Sequence, residues 1–277
     1  MITLMQAASR VSASLDPGVL WALALVSALV WCLRSARHQG IDVRSMYWAG
    51  VWACLGGLWG GHIMGLFVHG WPGGPLAWLQ FWDSSKSYYG GLIGGAAAVA
   101  LFCRSRRVGI SGYAHVGTPA VALGYAIGRL GCFLNGDDYG SLTRVPWGVT
   151  FPPGTEAYQA HLTQGWIRAG DPWTLPVHPV QLYASLTGLG IFVILTCCRG
   201  KRLDDRLWLF TTLYGASRFL LEFLRGDFHA VLGPLSLPQV FSLGLIAVGI
   251  VFGTRGRGWF AWRAGRLAAA AGTAVIS

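Results

Sequence analysis

Gly128-Arg129-Leu130-Gly131-Cys132-Phe133-Leu134-Asn135-Gly136-Asp137-Asp138-Tyr139-Gly140 closes an apolar run that begins near Tyr113. Asn135-Gly136 ends the run, so Arg129 sits about six residues, or roughly 9 Å of helix, inside what should be hydrocarbon. A cation at that depth costs at least about 2.5–3.5 kcal/mol and ordinarily faces a partner, a cavity or a substrate. We read Arg129 as half of an anion site for a lipid headgroup.

Composition supports the membrane setting. The 277 residues are 53% hydrophobic and 12% charged, about half the charge of a soluble domain. The 40 glycines suit close helix approach in lipid, where small residues replace the hydrophobic effect as the source of tight packing. The net charge of +10 does not point to nucleic acid, because most of the basic residues follow alternate apolar runs. Arg34, Arg37 and Arg44 follow the first, and Arg104, Arg106 and Arg107 the third. Arg199, Lys201, Arg202 and Arg206 follow the fifth, and Arg255, Arg257, Arg263 and Arg266 the last. The opposite loops hold only Arg10, Lys86, Arg144, Arg168 and Arg225. This is the positive-inside asymmetry, and it puts the N-terminus outside and the C-terminus inside.

The expected fold class is an all-α integral membrane protein, a bundle of about seven transmembrane helices in one polytopic domain over residues 1–277. The expected spans are about 19–33, 46–67, 88–103, 113–134, 178–198, 207–224 and 238–252. The first 17 residues lack the pattern of a signal peptide. An outer loop, 69–87, carries Trp71, Trp78, Phe81 and Trp82, aromatics that favour the headgroup level. The segment of about 135–177 is rich in proline and glycine and reads as an irregular or partly stranded outer cap. Cys32, Cys54, Cys103, Cys132, Cys197 and Cys198 lie in or beside apolar runs and read as packing residues, with Cys132 open to a reactive role as well. None has metal-ligand spacing, and neither a metal nor a cofactor is expected.

Arg218 lies at the same depth on the sixth span as Arg129 on the fourth, and shares a helix face with Tyr214 and Glu222 through i, i+4 spacing. Arginine's planar fork suits a phosphate. Tyr89, His178 and Gln181 fall at outer ends of spans, so the polar residues gather in one slab. Two arginines with one span carboxylate leave a cationic excess that an anionic ligand would neutralise. Plainer readings stand beside this one: Arg218 and Glu222 as a staple of the bundle, Arg129 paired with Asp137 or Asp138, span-end tyrosines as interfacial anchors, His178 as a cap, and His62 as a packed core histidine.

These stretches resemble the bacterial phosphatidylglycerol–prolipoprotein diacylglyceryl transferase family. Gly128 to Gly140 is similar to its GR-x-GN-x-x-NGE-x-x-G signature. Tyr89-Gly90-Gly91-Leu92-Ile93-Gly94 is similar to its HGG-containing span start, and His178-Pro179-Val180-Gln181-Leu182-Tyr183 to its HP-x-QLY element. Tyr214 through Arg218-Phe219 and Glu222-Phe223 to Arg225 resembles its YG-x-x-RF-x-x-EF-x-R segment, and Pro238-Gln239 with Ser242 the opening of its last span. The resemblance implies seven spans in the bacterial inner membrane, a periplasmic N-terminus and cap, and a cytoplasmic C-terminus. It implies transfer of the diacylglyceryl group of phosphatidylglycerol to the lipobox cysteine thiol of a prolipoprotein signal peptide. The product is a thioether, and glycerol phosphate leaves.

By resemblance, Arg129 and Arg218 would meet charge on the phosphate, Tyr214 and Glu222 would orient Arg218, and Asp137 would stand for the signature's Glu. Gly140 would permit the turn beyond it, and Cys132, Asn135, His178, Gln181, Tyr183 and Gln239 would complete the substrate site. Tyr89 replaces the family's histidine as the expected proton acceptor, Cys132 replaces an asparagine, and Trp21-Ala22-Leu23 stands where a Trp-Tyr-Gly is typical. A phenol of ordinary pKa about 10 is a weak base near neutrality unless a cation such as Arg129 lowers it. The alternative reading is a catalytically altered paralogue that binds phospholipid or a membrane partner without this transfer, or uses another acceptor. A transporter lacks support, since no broken-helix pair or repeated halves stand out.

Overall fold

The computed structural model describes residues 16–69, 87–197, 205–228 and 230–272. Among them are seven long helices and one short one: α1 Pro17–His38, α2 Val43–His69, α3 Tyr88–Arg106, α4 Ile110–Asn135, α5 Glu156–Thr163, α6 Val180–Cys197, α7 Asp205–Glu222 and α8 Leu237–Gly272. A two-stranded antiparallel ribbon, β1 Ala230–Leu232 with β2 Leu235–Ser236, precedes α8. The aromatic loop with Trp71, Trp78, Phe81 and Trp82 lies outside the described residues, as do Arg10, Lys86, Cys198, Arg199, Lys201 and Arg202.

Among the described residues, four helical segments are long and apolar enough to cross a membrane: Pro17–His38, Val43–Phe67, Val180–Cys197 and Leu237–Thr254. The remaining long helices α3, α4 and α7 lie where spans are expected. They carry the polar cargo: Arg104 and Arg106 on α3, Arg129 on α4, and Asp205, Arg206, Arg218 and Glu222 on α7. The last helix also outruns its expected end near Phe252, continuing to Gly272. Its final turns hold a run of alanines, the strongest helix former.

The chain divides into two compact units. The first to describe, Ala28–Ala120, is built on α2 and α3. Asp42 caps α2, its carboxylate accepting from the Ser45 amide at 2.9 Å; Ser87 caps α3, and a left-handed Arg107 ends it. Such caps satisfy amides and carbonyls that a helix end leaves open. The two helices meet through glycines. A Cβ on Gly60 would strike the Gly90 carbonyl oxygen and sit 2.8 Å from Gly94 Cα, and one on Gly94 would meet the Gly56 carbonyl. The obstacles are backbone and cannot yield. Gly60→Ala is therefore expected to force the pair apart and cost about 1–3 kcal/mol, read as a lowered thermal midpoint in detergent. Beyond the glycines, Ala36, Met46, Ala49, Phe102, Cys103, Tyr113 and Val116 form a buried cluster, and His62 is fully buried.

The second unit, Met1–Ser27 with Val121–Ser277, carries the candidate site. Asp16 caps the start of α1, accepting from the Gly18 amide at 2.7 Å, with Pro17 in the first helical position that suits it. Trp21 packs so close to Gly131 that a Cβ there would lie 2.9 Å from its Nε1. α6 locks onto the C-terminal half of α4: Ser185 Oγ donates to the Ala126 carbonyl at 2.7 Å, and Gly188 leaves room for the Tyr125 ring. α7 lies along α8, where Gly215 faces the Ser242 carbonyl. Between α4 and α6 the chain forms isolated bridges Leu142↔Val177 and Val149↔Val177 over a small core of Tyr139, Phe151, Ala157 and Val177.

Candidate active site

α4 ends where Gly136, at φ 69°, returns its amide to the Cys132 carbonyl at 2.9 Å. This is the usual left-handed glycine stop. Two residues later Asp138 is also left-handed, at φ 54°, a conformation that aspartate tolerates better than most side chains. The two turns reverse the chain and bring Asp138 back over the helix it has just left. Its Oδ2 accepts from Arg129 Nη1 at 2.5 Å.

The other carboxylate oxygen reaches across to the end of α7. Arg225 Nη1 donates to Asp138 Oδ1 at 2.5 Å, while its Nε and Nη2 hold Asp227 in a two-point grip at 2.7 and 2.6 Å. The backbone secures the juncture, with Ser141 N on the Leu224 carbonyl at 2.8 Å and Gly226 N on the Tyr139 carbonyl at 3.0 Å. Burial alone would raise the Asp138 pKa, but Arg129 and then Arg225 outweigh it and hold the carboxyl well below the usual carboxylate range. Its neighbour Asp137 moves the other way, pushed up by burial against a hydrogen bond from Asn135, with the Asp138 charge adding to the rise.

Arg218 on α7 pairs through Nη1 with Glu222 Oε2. The second Glu222 oxygen accepts from Ser236 Oγ at 2.8 Å, and the Ser236 amide donates to Gln239 Oε1 at 3.0 Å. The ribbon before α8 thus serves as a brace behind the Arg218 ion pair. On α4, the Arg129 guanidinium lies 5.1 Å from the Tyr125 ring centroid, a cation–π contact. Tyr214 meets Tyr125 edge to face at 5.3 Å and stacks on Phe210.

Arg129, Arg218 and Arg225 line one narrow cavity together with Asp138, Gln181 and Tyr125. Gln181 is buried, donates through Nε2 to the Asp137 carbonyl at 2.7 Å, and has an Oε1 without a hydrogen-bond partner among the described residues. Of the residues singled out from sequence, Arg129, Arg218 and Gln181 meet on this cavity, while Glu222 and Gln239 stand behind it. Cys132 is buried with Sγ 4.0 Å from Arg129 Nη1, and Asn135 is exposed and donates to Asp137 Oδ2 at 2.9 Å. His178 and Tyr183 form a separate group, in which the Tyr183 hydroxyl accepts from Trp147 Nε1 at 2.6 Å and lies 3.5 Å from His178 Nδ1. Tyr89 belongs to the other unit, half-buried in the first turn of α3 with its ring 6.4 Å from that of Tyr88.

Two expectations need correction. The turn beyond the signature does not rest on Gly140, since the left-handed residues are Gly136 and Asp138. Gly140 is needed for space, because a Cβ there would collide with the His178 carbonyl and sit 2.8 Å from Val180 Cγ2. The cationic excess also disappears among the described residues: Asp138 and Asp227 come in from outside the helices, so three guanidinium groups face three carboxylates there. Asp138, Arg225, Tyr125 and Ser236 were missed as site residues. Tyr125 had a signal, since it stands four residues before Arg129 as Tyr214 does before Arg218. Cys132, Asp137 and Asp138 bring ligand atoms within 4.8 Å of one another, but both Asp138 oxygens are committed to guanidinium groups, and a cation there would be repelled by Arg129 and Arg225.

A family model described as prolipoprotein diacylglyceryl transferase matches residues 17–255. Among similar proteins, the phosphatidylglycerol–prolipoprotein diacylglyceryl transferase of Geobacter sulfurreducens is 30% identical over 84% of this chain and 87% of its own length. Its counterpart in Xylella fastidiosa is 33% identical over 79% of this chain and 82% of that protein. The one in Clostridium tetani is 29% identical over 84% and 89%. A guanidinium-lined cavity shared by α4, α6 and α7 and this breadth of similarity lead to one assignment: the chain belongs to the prolipoprotein diacylglyceryl transferase family.

Proposed function

We propose that this protein transfers the diacylglyceryl group of phosphatidylglycerol to the cysteine thiol of a prolipoprotein lipobox. In this step a C–S bond forms and the bond between the glyceryl carbon and the phosphate oxygen breaks. The electron pair leaves on the phosphate, and the thiol proton passes to a base. The observation that carries the reading is the shared cavity of Arg129 and Arg218, borne on different helices. Fixed cationic donors stabilise charge as it builds on a departing phosphate. Gln181 Oε1, a buried acceptor lacking a partner among the described residues, suits a hydroxyl of the glycerol headgroup. The names carried by the relatives point to the same two substrates.

The proposal extends to topology: seven spans in the inner membrane of a bacterium, with the N-terminus and the segment of about 135–177 periplasmic and the C-terminus cytoplasmic. The alternation of basic loops supports this orientation. Purified protein mixed with phosphatidylglycerol vesicles and a lipobox peptide is expected to yield a diacylglyceryl thioether, detected by mass. Lipid retained without any product would overturn the reading.

Tyr89 is the proposed proton acceptor for the thiol, whose thiolate is the nucleophile. Tyr89→Phe is then expected to lower the transfer rate about a hundredfold or more. Tyr89→His is expected to keep or raise it, because imidazole titrates near neutrality. An unchanged rate in Tyr89→Phe would dismiss the role.

A further inference from the structure

The signature leaves the position of Asp138 unspecified, and nothing in the proposed chemistry has called on this residue. Yet it is the carboxylate that bridges two of the three guanidinium groups on the cavity. The bridge is lopsided. Arg225 keeps a two-point hold on Asp227 whether or not Asp138 is present. Asp138 is the one ion-pair partner of Arg129 among the described residues, with the Tyr125 ring beneath. An arriving anion that takes over Arg129 therefore breaks one bond of Asp138 and leaves its other oxygen on Arg225, which also holds Asp227. The Asp138 side chain is 34% exposed and sits in a turn of the chain, not in a helix, so it can give way without unpacking a core.

We propose that Asp138 is a resident competitor for the phosphate at Arg129, yielding to the incoming lipid headgroup and returning to help expel the cleaved glycerol phosphate. The inference rests on the transferase reading. Its logic is a charge difference between substrate and product. The phosphodiester of phosphatidylglycerol carries one negative charge. Glycerol phosphate is a monoester with a second ionisation near pH 6, and carries about −1.5 to −2 at neutral pH. A site with free guanidinium groups would hold that product more tightly than its substrate, and turnover would stall on release. A tethered carboxylate beside the same guanidinium opposes this, because its local concentration does not fall when product departs.

The test is calorimetric binding of glycerol phosphate to the full-length protein in detergent, alongside steady-state transfer. Asp138→Asn removes the charge and keeps the shape. It is expected to bind glycerol phosphate about tenfold tighter or more, as charge-assisted contacts to arginine replace a competitor. In the transfer assay KM for phosphatidylglycerol should fall, kcat should fall and product inhibition should deepen. Asp138→Glu, which keeps the charge, should return product affinity toward the wild-type value. Equal affinity in wild type and Asp138→Asn would overturn the proposal, as would a raised KM with a lowered kcat, the mark of a structural tether. Should Asp138→Asn not accumulate as folded protein, glycerol phosphate in the purification buffer is expected to rescue it by supplying the missing anion. Absence of rescue would overturn the proposal too. A wild-type protein inactive on every lipobox peptide would remove the transferase reading, while the binding comparison would still decide the role of Asp138.

Discussion

Arg129→Ala is expected to lower diacylglyceryl transfer by about a hundredfold to a thousandfold, the range for removing one donor that meets developing charge, while the protein stays folded in the membrane. The structure explains why the two effects separate. Losing the Arg129 side chain frees Asp138 Oδ2, but Asp138 Oδ1 remains on Arg225, and a carboxylate 34% exposed is not stranded without solvent. The backbone bonds that join the signature loop to the end of α7, Ser141 to Leu224 and Gly226 to Tyr139, do not involve Arg129. Arg129→Lys should recover part of the activity, because a point charge replaces the planar fork that can meet two phosphate oxygens at once. The measurement is thioether formation by purified protein, with the thermal midpoint as control for folding. Normal turnover in Arg129→Ala would show that the phosphate is held elsewhere.

That Arg129 and Arg218 belong to one site was legible in the sequence because a charge in an apolar run is conspicuous, and the two meet on one cavity. Helix positions were legible for the same reason: apolar runs bounded by arginines, glycines or prolines. What the sequence hid are contacts made by chain reversal. Asp138 and Arg225 lie 87 residues apart, and their meeting depends on two left-handed turns, at Gly136 and Asp138. Nothing in side-chain spacing announces it. The excess of cations inferred from span residues alone failed at this point, since the balancing carboxylates sit just outside the helices. Ser236 was hidden likewise, because a two-stranded ribbon of five residues delivers it to Glu222. Tyr125, by contrast, was available to the rule that paired Tyr214 with Arg218.

Arg218→Ala is expected to abolish transfer as Arg129→Ala does, but with a cost in stability that Arg129→Ala does not carry. Glu222 is 5% exposed at its side chain, and without Arg218 its charge keeps, among the described residues, only the Ser236 hydroxyl. Stripping one partner from a buried ion pair costs about 3–5 kcal/mol, so a fall in activity alone would not separate a phosphate donor from a structural ion pair. The double variant Arg218→Ala with Glu222→Gln does separate them. Glutamine carries no charge to strand and can still accept from Ser236, so the thermal midpoint should return most of the way to wild type. Transfer should stay absent, because no guanidinium remains at that side of the cavity. If the double variant regained both stability and turnover, Arg218 would be a staple and Arg129 with Arg225 would have to hold the phosphate between them. If it regained neither, the loss in Arg218→Ala would lie in the packing of α7 against its neighbours and not in the stranded carboxylate.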